Sequence, residues 1–95
     1  MAEEKKDFAP PEPNFGFFIT TLSLQASIAL GQLANPATNK TEEDLIQAKF
    51  LIDTLGMLEA KTKGNLDSGE SKLLENLLYD LRNIYLSKAK GVKND

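Results

Sequence analysis

The amino-acid sequence contains no charged residue between Asn14 and Asn39, in a chain of 95 residues. An uncharged segment of this length is either a membrane span or a helix that other protein surfaces cover on most sides. Residues 15–34 include six serine, threonine and glutamine side chains, which are costly in hydrocarbon, and no basic cluster flanks them. We therefore predict a buried helix over residues 14–34, stopped at Asn35 because the residue before a proline avoids helical backbone angles.

A second helix is indicated by the signals at its two ends. Thr41 is followed by Glu-Glu-Asp, an N-cap with acids that complement the positive end of the helix dipole. Lys61 and Lys63 then precede Gly64, which can take the left-handed conformation that ends helices. These signals predict a helix over residues 42–63.

A third helix is predicted over residues 68–88. Asp67 and Glu70 have the spacing of a capping box, and a leucine-rich amphipathic segment follows them. Because short connections make neighbouring helices antiparallel, the predicted fold is an all-α, three-helix antiparallel bundle.

The two ends of the chain differ in composition from the rest. Residues 1–13 hold three of the four prolines and six charges, which predicts a disordered N-terminal arm. Residues 89–95 predict a flexible basic tail, so that one domain spans residues 14–88. The N-terminal residues lack the apolar run of a signal peptide, and we expect a cytoplasmic protein.

Composition argues against most catalytic chemistry. The chain has no cysteine and no histidine, so thiolate nucleophiles, imidazole bases and the commonest zinc ligands are missing. We expect no catalytic residue, no metal and no cofactor. The net charge of −3 also argues against nucleic acid as a partner, since phosphate binding needs a concentrated basic face.

Each predicted helix has a broad apolar face and a second apolar stripe on its back. The broad face of the first helix includes Phe18 and Leu33, and the three broad faces together can build a core. The back stripes would remain exposed in a single chain, and exposed apolar patches mark interaction surfaces. The predicted interaction surface consists of Phe17, Leu24, Ile28, Ile46, Phe50, Asp53, Met57, Tyr79, Arg82 and Leu86.

The uncharged first helix suggests an assembly. Two partner helices would hardly cover such a helix on all sides, so we expect a homodimer with this helix at its centre. Asp53 would then be buried and would need a partner. Arg82, the only arginine, is the best candidate for a bidentate pair with Asp53 or with Glu75. The spacing is equally compatible with an exposed Glu75–Arg82 pair, which would contribute little to stability.

Three stretches resemble a small bacterial family catalogued as domain of unknown function 1844. They are LQASIALGQL at residues 24–33, IDTLGMLEAKTKGNL at residues 52–66 and LLYDLR at residues 77–82. The resemblance covers about 70 residues and implies a bacterial cytoplasmic protein. It implies no activity and no catalytic residue.

Three function classes follow from these features. The leading hypothesis is a non-enzymatic protein–protein interaction or scaffold protein that self-associates and binds a further, unidentified protein. The alternative is a peripheral membrane adapter that uses the uncharged helix over residues 15–34, although a membrane-spanning helix is disfavoured. The third is an enzyme with a carboxylate site, which would require a polar pocket at Asp53, Glu59 or Tyr79.

Overall fold

The computed structural model describes the backbone of residues 12–94 and the side chains of residues 12–90. Within this part of the chain there are three helices and no strand: α1 (Phe15–Ala29), α2 (Leu45–Lys61) and α3 (Ser68–Asn94). Each helix packs against the other two. The predicted all-α three-helix bundle is therefore confirmed.

Helix α1 begins at a side-chain cap and ends at a glycine. The Phe17 N–H donates to Asn14 Oδ1 at 2.7 Å. Gly31, with φ of 79°, donates to the Ile28 carbonyl at 3.0 Å, and Gln32 donates to the Ser27 carbonyl at 2.9 Å. This pair of bonds is a Schellman motif, which satisfies the last carbonyls and turns the chain out of the helix. The helix accordingly ends before Gly31 and does not extend to residue 34 as predicted.

The connection between α1 and α2 is folded back on itself. Leu30 forms an antiparallel bridge with Glu43, and Asn35 forms another with Lys40. The Asp44 N–H donates to the Ala29 carbonyl at 2.7 Å, which holds Asp44 at the end of α1. Asp44 caps α2 by accepting from the Gln47 N–H at 3.1 Å, so the predicted start at residue 42, capped by Thr41, was three residues early.

The turn between α2 and α3 has the predicted local chemistry. Gly64 has the predicted left-handed conformation, with a φ of 87°. Helix α2 nevertheless ends at Lys61, with Thr62 as its C-cap, two residues before the predicted end at residue 63. The Glu70 N–H donates to Asp67 Oδ1 at 2.8 Å, and the Asp67 N–H donates to Glu70 Oε1 at 3.0 Å. Both bonds of the capping box are therefore present.

Helix α3 is longer than predicted. It continues to Asn94, through most of the segment predicted as a flexible tail. Lys88 Nζ lies 3.0 Å from Glu43 Oε2, which ties this end of α3 to the α1–α2 connection. Asp95 and residues 1–11 of the predicted arm lie outside the described residues.

The core is built from the broad faces of the three helices. Its fully buried large side chains are Ile19, Leu30, Leu55, Leu74 and Leu78. Two residues assigned to the broad face are instead exposed. Phe18 is 49 % exposed because it lies at the edge of the α1 face, and Leu33 is 42 % exposed because Gly31 ends the helix before it. None of the helices described in residues 12–94 is both long enough and apolar enough to cross a membrane.

Candidate interaction surface

Each helix carries a second row of side chains with the spacing i, i+4, i+7, i+11. This spacing places four side chains in one line along a helix and is the spacing used in helix–helix packing. We call these rows the seams. The seam of α1 is Phe17, Thr21, Leu24 and Ile28; that of α2 is Ile46, Phe50, Asp53 and Met57; that of α3 is Glu75, Tyr79, Arg82 and Leu86.

The structure leaves these seams largely outside the core. Seven large apolar side chains of the predicted interaction surface are exposed, Asp53 and Arg82 are exposed as well, and Ile28 is half-buried. Ile46 is 86 % exposed, which is extreme for a large aliphatic residue in a helix. The seven exposed apolar members are Phe17, Leu24, Ile46, Phe50, Met57, Tyr79 and Leu86.

Thr21 of the α1 seam and Thr54, which follows Asp53 of the α2 seam in the chain, both have hydroxyl groups that donate within their own helix. Thr21 Oγ1 donates to the Phe17 carbonyl at 3.0 Å, and Thr54 Oγ1 donates to the Phe50 carbonyl at 2.7 Å. Each hydroxyl is therefore satisfied by its own helix. Neither threonine needs water or a partner to complete this bond.

Grooves on both sides of α2 connect the seams. Ile28 and Ile46 line a groove of about 580 Å³ between α1 and α2. On the other side of α2, Ile46 and Phe50 share a groove with Tyr85, and the adjoining groove reaches Leu86. The exposed apolar surface is thus continuous across α2 and passes onto α3.

Asp53 has a different partner from the candidate that the sequence suggested. Its Oδ2 accepts from Lys49 Nζ at 2.8 Å, and both side chains are more than 60 % exposed. The hydrogen bond that Lys49 donates to Asp53, and then the charge of Asp53, raise the pKa of the Lys49 ammonium. Among the described side chains Arg82 joins no ion pair with Asp53 or with Glu75. An exposed pair such as Lys49–Asp53 contributes little to folding stability.

Arg82 lies against a glycine of α2. A β-carbon at Gly56 would stand 3.1 Å from Arg82 Nη2, so the guanidinium rests over the glycine backbone. Arg82 and Asp53 also line one groove of about 260 Å³, together with Leu86. Neither this role of Gly56 nor the Lys49–Asp53 pair was predicted from the sequence, although the i, i+4 spacing of Lys49 and Asp53 is a usable signal.

The carboxylates do not form an enclosed site. Glu59 and Glu75 are exposed and line an open groove of about 490 Å³ near Gly64. In the described part of the chain, no three acidic residues converge closely enough to hold a metal ion. Exposed carboxylates keep their hydration, whereas acid–base sites are usually enclosed.

Comparison with known proteins identifies a family model. The model described as Domain of unknown function (DUF1844) matches residues 12–87, from the approach to α1 to the last quarter of α3. No curated protein and no solved structure matches the chain. The matched range contains every residue of the three seams.

Proposed function

Because the chain belongs to the family described as domain of unknown function DUF1844, whose description names no activity, we propose from its surface that it is a non-enzymatic interaction protein that self-associates. The observation that carries this proposal is the exposure of the seams. Among the described side chains nine large hydrophobic residues are exposed, seven of them in the seams, against eleven hydrophobic residues in the core. Contiguous exposed apolar surface favours a protein partner.

The exposed area is large enough for a stable contact. The exposed parts of the seven apolar seam side chains amount to roughly 800 Å². A standard protein–protein interface buries about 800 Å² from each partner. A small domain also gains stability from a second subunit, because its own core is limited.

The residue composition also bears on whether the protein is an enzyme and on which class of partner it binds. The lack of cysteine and histidine supports a non-enzymatic role, and the net charge of −3 supports a protein partner over a nucleic acid. We propose that this interaction takes place in the cytoplasm.

Analytical ultracentrifugation of the full chain over a wide concentration range tests the proposal. We expect the weight-average mass to rise from one chain to a multiple of it between submicromolar and submillimolar concentrations. A mass of one chain throughout this range would refute self-association.

A peripheral membrane adapter is the second candidate. It is favoured by the seam of α1, which has no charged member and lies next to the exposed Phe18. Co-sedimentation with phosphatidylcholine and phosphatidylserine vesicles separates the two. Binding that is lost in Phe17→Ser but kept in the matched polar variant Gln25→Ser would favour the adapter, and no binding would favour the interaction protein.

A further inference from the structure

We propose that two copies of the chain pack face to face through the α2 and α3 seams, with Asp53 of each copy paired with Arg82 of the other. This inference rests on the proposed self-association and specifies its surface, its symmetry and its register. It replaces α1 with α2 and α3 as the centre of the assembly.

Asp53 and Arg82 lie at matching levels along the bundle. Helices α2 and α3 are antiparallel, since Lys49 and Ile52 share a groove with Tyr85 and Leu86, while Ala60 shares one with Ser71. Asp53 and Arg82 line the same groove, so they lie at nearly the same level.

A two-fold axis parallel to the helices preserves these levels. Rotation about such an axis places α2 of one copy against α3 of the other, with the two helices antiparallel. Asp53 then faces Arg82 of the second copy, and the symmetry produces the same pair a second time. A two-fold axis perpendicular to the helices would instead place α2 against α2.

The other seam residues fit the same register. Each step of one residue moves about 1.5 Å along a helix, in opposite senses on the two antiparallel helices. Phe50 therefore falls within about 1.5 Å of the level of Leu86 of the second copy, and Met57 within about 1.5 Å of the level of Tyr79. An apolar pair stands on each side of the ion pair.

The charges at the end of the face are also complementary. In this register Lys61 of α2 falls within about 1.5 Å of the level of Glu75 of the second copy. Opposite charges at matching levels are the feature that fixes orientation and register in helical interfaces. The α1 seam has no charge and so offers no such selection.

The area is consistent with a dimer of moderate affinity. The exposed parts of Ile46, Phe50, Met57, Tyr79 and Leu86 amount to roughly 600 Å² per copy. Two copies would bury about 1,200 Å² from these side chains alone, which is the lower end for a specific stable interface. The stems of Lys49, Lys61 and Arg82 add to this area.

Charge reversal and mixing test the pairing. In Asp53→Arg, two arginines face each other across the interface, and in Arg82→Asp two aspartates do. We expect each variant to dimerise with a dissociation constant raised by roughly tenfold or more. An equimolar mixture restores two opposite-charge pairs, and we expect its heterodimer to form with an affinity within about threefold of the wild type.

The mixture distinguishes a contact between copies from one within a chain. If Asp53 paired with Arg82 of its own chain, each variant would keep its own repulsion and mixing would restore nothing. Native mass spectrometry of isotopically distinguished variants gives the heterodimer fraction, and circular dichroism shows that each variant is folded. The matched control reversals are Asp80→Arg and Lys40→Asp, both at exposed positions outside the seams, and we expect both to dimerise normally.

The outcomes separate this inference from the proposed function. A wild-type chain that stays monomeric refutes both. A wild-type dimer that is unaffected by the two reversals, but is lost in Phe17→Ser/Leu24→Ser, overturns the α2–α3 interface and leaves self-association standing through α1. Weakening by each reversal without recovery in the mixture also overturns the inference.

Discussion

The guanidinium of Arg82 lies over Gly56, so close that a β-carbon at Gly56 would stand 3.1 Å from Arg82 Nη2. Glycine within a helix costs stability, and a residue without a side chain at this point leaves room for the Arg82 guanidinium of α3 beside α2. The contact places Arg82 in the groove that it shares with Asp53. Glycine at position 56 therefore makes α2 less stable than alanine would, but it allows the positive charge of Arg82 to lie at this position.

We expect Gly56→Ala to stabilise the isolated fold by less than the about 0.5–1 kcal/mol that alanine gains over glycine in a helix, because the Arg82 guanidinium must move away from the new β-carbon. Urea unfolding at low protein concentration measures the change. The same substitution in an Arg82→Ala background is the control, since no guanidinium is then displaced. A gain that is equal in both backgrounds would mean that the close approach has no energetic weight.

Gly31 and Gly64 allow the cost of a left-handed position to be separated from the cost of crowding. Both have positive φ, at 79° and 87°. A β-carbon at Gly31 would lie 2.9 Å from Glu43 Cγ, whereas one at Gly64 would meet no atom within 4 Å.

We expect Gly64→Ala to destabilise the protein by about 1 kcal/mol from backbone strain alone, and Gly31→Ala by about 2 kcal/mol because Glu43 must also move. Denaturant midpoints of the two variants measure the difference. Equal losses would show that the Glu43 side chain moves aside at no cost.

The capping box at the start of α3 gives a third prediction. Asp67 accepts from the Glu70 N–H, and Glu70 accepts from the Asp67 N–H. We expect Asp67→Ala to cost about 1 kcal/mol, and Glu70→Ala to cost less, because the Asp67 N–H lies outside the helix and water can replace its partner. Thermal unfolding of both single variants and of the double variant tests this. Additive losses would mean that the two bonds form independently.

The Lys49–Asp53 pair predicts a small dependence on alkaline pH. The hydrogen bond with Asp53 holds the pKa of Lys49 above its ordinary value of 10.5. A group whose pKa is raised by folding contributes stability below its unfolded pKa and loses that contribution as the pH rises through its folded pKa. The affected window therefore lies above about pH 10.5.

We expect Asp53→Asn to lower the pKa of Lys49 towards its ordinary value, because both the charge and the strong acceptor are removed. Carbon-13 NMR titration of the lysine side chains measures this directly, with Lys72 as an exposed reference. An unchanged pKa in Asp53→Asn would show that the pair does not persist in solution.

The features that the sequence predicted well depend on neighbouring residues in the chain. Gly64 and the Asp67–Glu70 box are both local, and both are found as predicted. The end of α1 was missed although its signal is also local. Pro36 predicts an end at residue 34, whereas Gly31 completes a Schellman motif and ends the helix before Pro36 can act.

The features that the sequence could not predict depend on how the helices meet. The start of α2 is set at Asp44, which donates its N–H to Ala29 of the preceding helix, and no local pattern distinguishes it from the acids before it. The position of Arg82 over Gly56 likewise depends on the rotation of α3 relative to α2. Helical periodicity identified which side chains face outward, but it carries no information on rotation between helices.

Ile46 separates folding from association more clearly than any other seam residue. It is 86 % exposed, so we expect Ile46→Ser to change the free energy of unfolding of the monomer by less than about 0.5 kcal/mol. The buried Leu55 is the matched contrast, and we expect Leu55→Ala to cost about 2–5 kcal/mol.

If Ile46 lies in an interface, Ile46→Ser should nevertheless raise the dissociation constant, because the apolar area lost from contact is large. Unfolding measured at low concentration and sedimentation measured at high concentration give the two quantities separately. A variant that loses monomer stability as Leu55→Ala does would show that Ile46 is part of the core, and one that changes neither quantity would remove Ile46 from the interaction surface.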